Sequence, residues 1–173
     1  MKLVTTALLM GMLSLSHLGA AEPPRPAGEL AITTPAGDTV DGDALKGKEV
    51  VVMFFSTDCP HCQHAASVMA PIYADYKSKG VEFVGVALNP TANANLGAFI
   101  EKYSVEFPVG LGGRELFIEA AGLTEMIRFY YPYLLFIDKD GQIQEEHEGA
   151  ERGYFADLDG NLRQSLDRLL AGS

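Results

Sequence analysis

Cys59 and Cys62 are the only two cysteines in the chain, with Pro60 and His61 between them. A pair this close can exchange disulfides, offer two ligands to a metal, or close a small structural ring. A ring this short constrains the unfolded chain very little, so a purely structural role has the least physical support. A zinc or copper site would need further ligands, for which His61 and His64 are the nearby candidates. Covalent haem attachment needs a histidine directly after the second cysteine, where Gln63 stands. Exchange chemistry needs an ionisable sulfur. A helix N-terminus favours one, because its unpaired amides and dipole stabilise an anion. Pro60 suits the first turn of such a helix, where a missing N–H is no loss. Cys59 is therefore expected to ionise readily, with His61 beside it as a further positive or hydrogen-bonding group. One helical turn separates the sulfurs, which makes Cys59 the exposed attacking thiol and Cys62 the buried resolving one.

The surrounding pattern supplies the elements that would hold this pair. Val50 to Phe55 is a continuous apolar run, as in a strand covered on both faces. From Pro60 to about Lys79, residues Cys62, Ala66, Met69, Tyr73 and Tyr76 recur at helical spacing. Pro71 lies within that run and is expected to kink or split it. Gly80 is a stop signal, and Val81 to Leu88 reads as a second strand, parallel to the first. Further along, Asn89 to Asn95 reads as a polar loop, and Leu96, Phe99, Ile100 and Tyr103 mark a second helix. Phe107 to Gly110 suits a short strand, and Glu115 to Ala121 and Thr124 to Tyr130 suit helices. Tyr133 to Ile137, the turn Asp138 to Gly141, and Gln142 to His147 form a hairpin expected at one edge of the sheet. Leu158, Leu162, Leu166 and Leu169 define a last helix. Before all of these, Glu29 to Thr34 reads as a first strand and Asp43 to Gly47 as a helical turn. The class is α/β: a mixed central sheet flanked by helices.

The formal net charge of -10 argues against nucleic acid and anionic membrane surfaces as partners. Lys2, the apolar stretch Leu3 to Leu18 and the small residues Gly19, Ala20 and Ala21 have the form of a cleavable export signal. A retained anchor is the alternative. The chain divides into a signal over 1–21, a Pro-rich segment over 22–29, and a folded domain over 30–173. An exported protein that used cysteines as staples would scatter them, so this pair is kept for chemistry or metal.

The run Val51 to Cys62, the run Tyr131 to Gly141 and the inserted segment Asn89 to Gly113 together resemble the thioredoxin superfamily, in its exported TlpA/ResA-like branch. The resemblance implies a thioredoxin-like fold with an inserted helix of the type shared with peroxiredoxins. It implies a thiol–disulfide oxidoreductase that needs no cofactor and no metal, exchanging disulfides with exported proteins. A membrane electron-transfer partner and a monomeric state go with it. It implies that Pro132 is a cis-proline facing the cysteines, and that the backbone of Tyr131 pairs with substrate. Tyr133 reads as core packing.

The chain departs from this pattern in three places. Many thioredoxins keep a buried acid where Met53 stands, some ResA-like proteins keep a glutamate where Ala65 stands, and tryptophan is frequent where Asp58 stands. An acid next to Cys59 opposes its thiolate. Pro60 and His61 match the dipeptide of DsbA, an oxidant, whereas the scaffold suggests a reductant. Ser56, three residues before Cys59, is where peroxiredoxins place a hydroxyl, so a thiol peroxidase is a second reading; Val52 stands where those enzymes expect proline. A Cys/His metal chaperone is a third. His147, among Glu145, Glu146 and Glu148, reads as part of a solvated charged face, and Asp138 and Asp140 as turn residues.

Overall fold

The computed structural model describes residues 22–123 and 128–172. The expected export signal over 1–21 and the first four residues of the expected helix Thr124 to Tyr130 lie outside these residues; the described remainder, Arg128 to Tyr130, is not helical. Eight strands run in chain order: β1 (Arg25–Pro26), β2 (Ile32–Thr33), β3 (Thr39–Val40), β4 (Glu49–Phe55), β5 (Val81–Ala87), β6 (Val109–Leu111), β7 (Tyr133–Ile137) and β8 (Gln142–Glu148). Six helices accompany them: α1 (Gly42–Leu45), α2 (Pro60–Tyr76), α3 (Ala92–Lys102), α4 (Arg114–Ala120), α5 (Arg152–Ala156) and α6 (Leu158–Ala171). The main sheet has six strands in the order β1-β8-β7-β4-β5-β6. β4 is parallel to β5 and antiparallel to β7, so the sheet is mixed.

β4 is buried along its whole length, and its side chains alternate between two cores. Val51, Met53 and Phe55 face the cluster built from α2, α3 and α6. Val50, Val52 and Phe54 face the cluster built from α4, β2 and Leu30. A strand that buries both faces has no polar side to turn outward, so its register is fixed by packing. α2 runs unbroken through Pro71, contrary to the expected kink or split. Pro71 is on the exposed face, so the carbonyl of Ser67 that it cannot serve faces water. Tyr76 Oη donates to Asp167 Oδ1 at 2.8 Å and ties the end of α2 to α6.

Other expectations need correction. Glu29 to Thr34 is not a full strand: only Ile32 and Thr33 pair, with Val40 and Thr39, in a separate two-stranded sheet. α3 begins at Ala92 and not near Leu96, because Ala92 is itself buried against the core. The β7–β8 hairpin is not at the edge, since β1 pairs with β8 outside it. The Pro-rich segment therefore joins the sheet. Arg25 is buried, donates through Nε to Ala121 O at 3.0 Å, and forms a two-pronged ion pair with Glu146. The turn residues do as expected: Asp138 Oδ1 accepts from the amides of Asp140 and Gln142, both at 2.9 Å.

His147 is not part of a solvated face. It is 15% exposed and stacks on Tyr154 with ring centres 3.5 Å apart. Its Nδ1 meets Glu151 at 2.7 Å and its Nε2 meets Glu145 at 2.6 Å. Burial opposes its charge, but the hydrogen bonds to both carboxylates win and raise its pKa above the ordinary 6.5. Burial would likewise raise Glu145, but hydrogen bonds with His147, Ser165 and Arg168 bring it down to about 2. A raised histidine pKa gives stability that is full below the unfolded value and is lost as pH rises through the folded one. The stability advantage of wild type over His147→Gln is therefore expected to be largest below pH 6.5 and to shrink at alkaline pH. Urea denaturation at several pH values measures it; an advantage that grows with pH would contradict it.

Candidate active site

β4 ends at Phe55, and four residues later the chain enters α2 with Cys59 as its N-cap and Pro60 in its first turn. Cys59 takes an extended conformation and its side chain makes no capping hydrogen bond, so the sulfur is not consumed in closing the helix. Cys59 is half-buried and Cys62 fully buried; both are free thiols, and Cys59 packs against the buried cluster that contains Cys62. Burial pushes the Cys62 thiol far above the ordinary thiol range, although the backbone of Ser56 pulls the other way; contact with Cys59 raises it further. His61 and His64 are both exposed. Among the described residues, no group of three or more His, Cys, Asp or Glu side chains is placed to hold a metal ion.

Sheet register brings the remaining parts to this spot. Phe54 lies opposite Tyr133, so Tyr131 and Pro132 run beside the end of β4. The Tyr131–Pro132 peptide is cis, and Pro132 is buried. The Tyr131 phenol is within electrostatic reach of both sulfurs and of Arg114; burial raises its pKa, the sulfurs add to this, and Arg114 opposes. Tyr133 is buried in the opposite core and donates to Glu146 at 2.8 Å, as its packing role required. A Cβ on Gly149 would sit 2.0 Å from the Tyr131 carbonyl oxygen, so the end of β8 can press against this loop only as glycine.

Phe55 lies opposite Ala87, so Asn89 falls beside Thr57. Asn89 Oδ1 accepts from the Thr57 amide at 3.0 Å. Its Nδ2 reaches Thr57 Oγ1 at 2.9 Å and Asp58 Oδ2 at 3.1 Å. Thr91 Oγ1 donates to Asp58 Oδ2 at 2.6 Å, and Asn95 Nδ2 donates to Asp58 Oδ1 at 3.2 Å. Gln63 Nε2 donates to the Thr57 carbonyl at 2.9 Å. The loop that presents Cys59 is thus fastened from both sides. Sequence reasoning did not single out Asn89, Thr91 or Asn95. One usable signal was their place just past the C-terminal end of a parallel strand, where such sheets gather their sites.

Comparison with known proteins agrees with this geometry. A model of the Redoxin family matches residues 20–162. The chain belongs to the Redoxin family. It is 28% identical over 114 residues to the thiol-disulfide oxidoreductase ResA of Halalkalibacterium halodurans, covering 66% of this chain and 61% of that one. It is 30% identical over 120 residues to ResA of Bacillus thuringiensis (strain Al Hakam), covering 69% and 66% respectively. Each match thus spans less than two thirds of the relative's own length. A thiol:disulfide interchange protein of the thioredoxin family from Chlorobium tepidum TLS superposes with a TM-score of 0.67 at 26% identity, over 85% of this chain and 99% of that one. This Redoxin-family protein is therefore a TlpA/ResA-like member of the thioredoxin superfamily, with the expected α/β fold.

Two outcomes follow for the site. Brief alkylation of the native reduced protein at neutral pH is expected to label Cys59 alone, with Cys62 labelled only after unfolding. Mass mapping reads this directly, and equal labelling of both would contradict the burial. Gly149→Ala is expected to cost about 2 kcal/mol or more, since backbone must move to admit the methyl group. Thermal denaturation checks it against the control Gly97→Ala, a glycine within α3 with open space around it and no positive φ.

Proposed function

We propose that this protein is an extracytoplasmic thiol–disulfide oxidoreductase that exchanges disulfides with exported proteins through Cys59 and Cys62. The observation that carries the reading is the pair itself. A half-buried cysteine at a helix N-cap packs against the cluster that holds a second, fully buried cysteine one turn deeper, with a cis Tyr131–Pro132 peptide running beside the strand that leads to them. The ResA relatives are named for this activity. In the reducing direction Cys59 attacks a substrate disulfide, one substrate thiolate leaves and a mixed disulfide forms; Cys62 then attacks the Cys59 sulfur, releases the second substrate thiolate and closes the Cys59–Cys62 bond. In the oxidising direction a substrate thiolate attacks Cys59 in the Cys59–Cys62 disulfide, Cys62 leaves as the thiolate, and a second substrate thiol displaces Cys59. Helix amides favour the anionic form of a thiol at the N-cap. Pro60 and His61 shape that first turn, and the Tyr131 backbone with Pro132 lines the place where the substrate chain lies.

Export rests on residues 1–21, whose composition fits a signal removed near Ala21. Among the described residues, no helix is long and apolar enough to cross a membrane. The protein acts as a monomer that gives electrons to exported disulfides or takes them from exported thiols, with a membrane-bound redox protein as the supplier or the acceptor.

Insulin reduction and oxidation of a reduced peptide dithiol test the activity. Cys59→Ser is expected to abolish both, about a thousandfold or more, because the one remaining thiol, Cys62, is buried away from substrate. Cys62→Ser is expected to retain the first step and accumulate mixed disulfides, visible as mass adducts on Cys59. A wild type inert in both assays would end the reading. Peroxide consumption that survives Cys62→Ser would replace it with a thiol peroxidase.

A further inference from the structure

Asp58 directly precedes Cys59, and its carboxylate is held on the side of the loop that faces α3. Its three donors are Thr91 Oγ1 at 2.6 Å, Asn89 Nδ2 at 3.1 Å and Asn95 Nδ2 at 3.2 Å. A carboxylate only accepts, so converging donors suit its charged form. All three donors are neutral, so they fix the charge in place without cancelling it. Thr91 is also the N-cap of α3, so the carboxylate lies near a positive helix end that favours an anion. The arrangement is specific: residues from a segment more than thirty positions away converge on one exposed acid, the residue that immediately precedes the reactive cysteine.

We propose that Asp58 poises the Cys59/Cys62 couple toward giving electrons, by fixing a negative charge beside the sulfur that carries negative charge when the couple is reduced. The proposal rests on the thiol–disulfide reading above. A helix N-terminus favours the thiolate of a cysteine at its N-cap and so favours the reduced state, which makes a disulfide there oxidising. A fixed carboxylate opposes that thiolate and leaves the disulfide less affected, because the disulfide is neutral. The balance moves toward the disulfide, and a couple that prefers its disulfide is a reductant. This separates the chain from an oxidant with the same Pro60-His61 dipeptide. Asp58 acts through Cys59 and takes no part in bond making, so it is a positioning residue.

Equilibration with glutathione tests the proposal. As the Cys59–Cys62 bond breaks, one glutathione disulfide forms, and two glutathione thiols supply the two electrons and two protons. The fraction oxidised is read by mass after acid quench and alkylation, across a series of glutathione ratios. Asp58→Asn keeps the shape and removes the charge. Its equilibrium constant is expected to move about tenfold toward the dithiol, which is about 30 mV. Asp58→Glu keeps the charge and is expected to stay within about twofold of wild type, as its longer stem still reaches the same donors. Thr91→Val with Asn95→Ala keeps the carboxylate but releases it to solvent, and a smaller shift in the direction of Asp58→Asn is expected, about threefold. A salt titration of wild type gives a measurement that needs no variant: screening of the charge is expected to move the midpoint the same way.

An Asp58→Asn midpoint within twofold of wild type overturns the proposal while leaving exchange intact. So does an Asp58→Glu midpoint shifted as far as that of Asp58→Asn, since that would trace the effect to packing. A wild type that never forms the Cys59–Cys62 bond in any glutathione mixture overturns the exchange reading itself.

Discussion

A helix can present a side chain from its N-cap at a fixed place only if the segment that enters it cannot slide. Everything at this site depends on that constraint. β4 supplies the first half of it: seven consecutive residues are buried, and their alternation feeds two separate cores. A shift of one residue would exchange the two faces of β4, and neither core would fit. The loop from Ser56 to Asp58 supplies the second half. Its backbone is bonded to Asn89 on one side and to Gln63 on the other, and the Cys59 amide donates back to the Ser56 carbonyl at 3.2 Å. Cys59 therefore enters α2 from a rigid anchor, and its position relative to Cys62 is set before any substrate arrives.

Mixed strand direction explains why the other parts of the site gather here. β5 and β6 run parallel to β4, so the segments that follow them emerge at the same end of the sheet. β7 runs the opposite way, so the segment that precedes it begins at that end. One end of the sheet thus receives the start of α2, the turn into α3, the glycines before α4 and the Tyr131–Pro132 loop. Gly112 shows how tight the gathering is: a Cβ there would lie 2.5 Å from Val86 Cγ1. The opposite end receives the short helix α1 before β4, the helical turn Lys77–Lys79 before β5 and the turn Asp138 to Gly141.

The parts of this arrangement that were legible in the sequence are those with local causes. The C-x-x-C spacing, the apolar runs of β4 and β5, the helical spacing of Cys62, Ala66, Met69 and Tyr73, and the Asp-Lys-Asp-Gly turn all carry their own signal within a few residues. The parts that were not legible depend on distant partners. Two residues of β1 have no strand pattern of their own; Arg25 is held by Glu146, 121 positions away. His147 lies among glutamates on a strand and reads as solvated until Tyr154 covers it. Asn95 reads as loop because asparagine is a poor helix residue, yet it is in the first turns of α3 with its amide bonded to Asp58. In each case a polar residue took a position that its type disfavours, and a long-range partner compensated it.

The two missing acids bear on how Cys62 can work. Met53 and Ala65, at the places where related proteins keep carboxylates, are both fully buried in the same cluster as Cys62. Hydrocarbon on that side cannot take a proton. The groups acting on the Cys62 thiol are the backbone of Ser56, its own backbone and Cys59, set against a dominant cost of burial. A resting Cys62 therefore stays protonated, and Cys59 is the ionisable side chain acting on it. While Cys59 is itself anionic, a second negative charge on Cys62 is disfavoured further. Once Cys59 is bonded to a substrate sulfur it becomes neutral, and the charge that opposed ionisation of Cys62 is gone. In the proposed exchange, burial of the inner thiol and the charge on its neighbour set the same order: the outer sulfur reacts before the inner one.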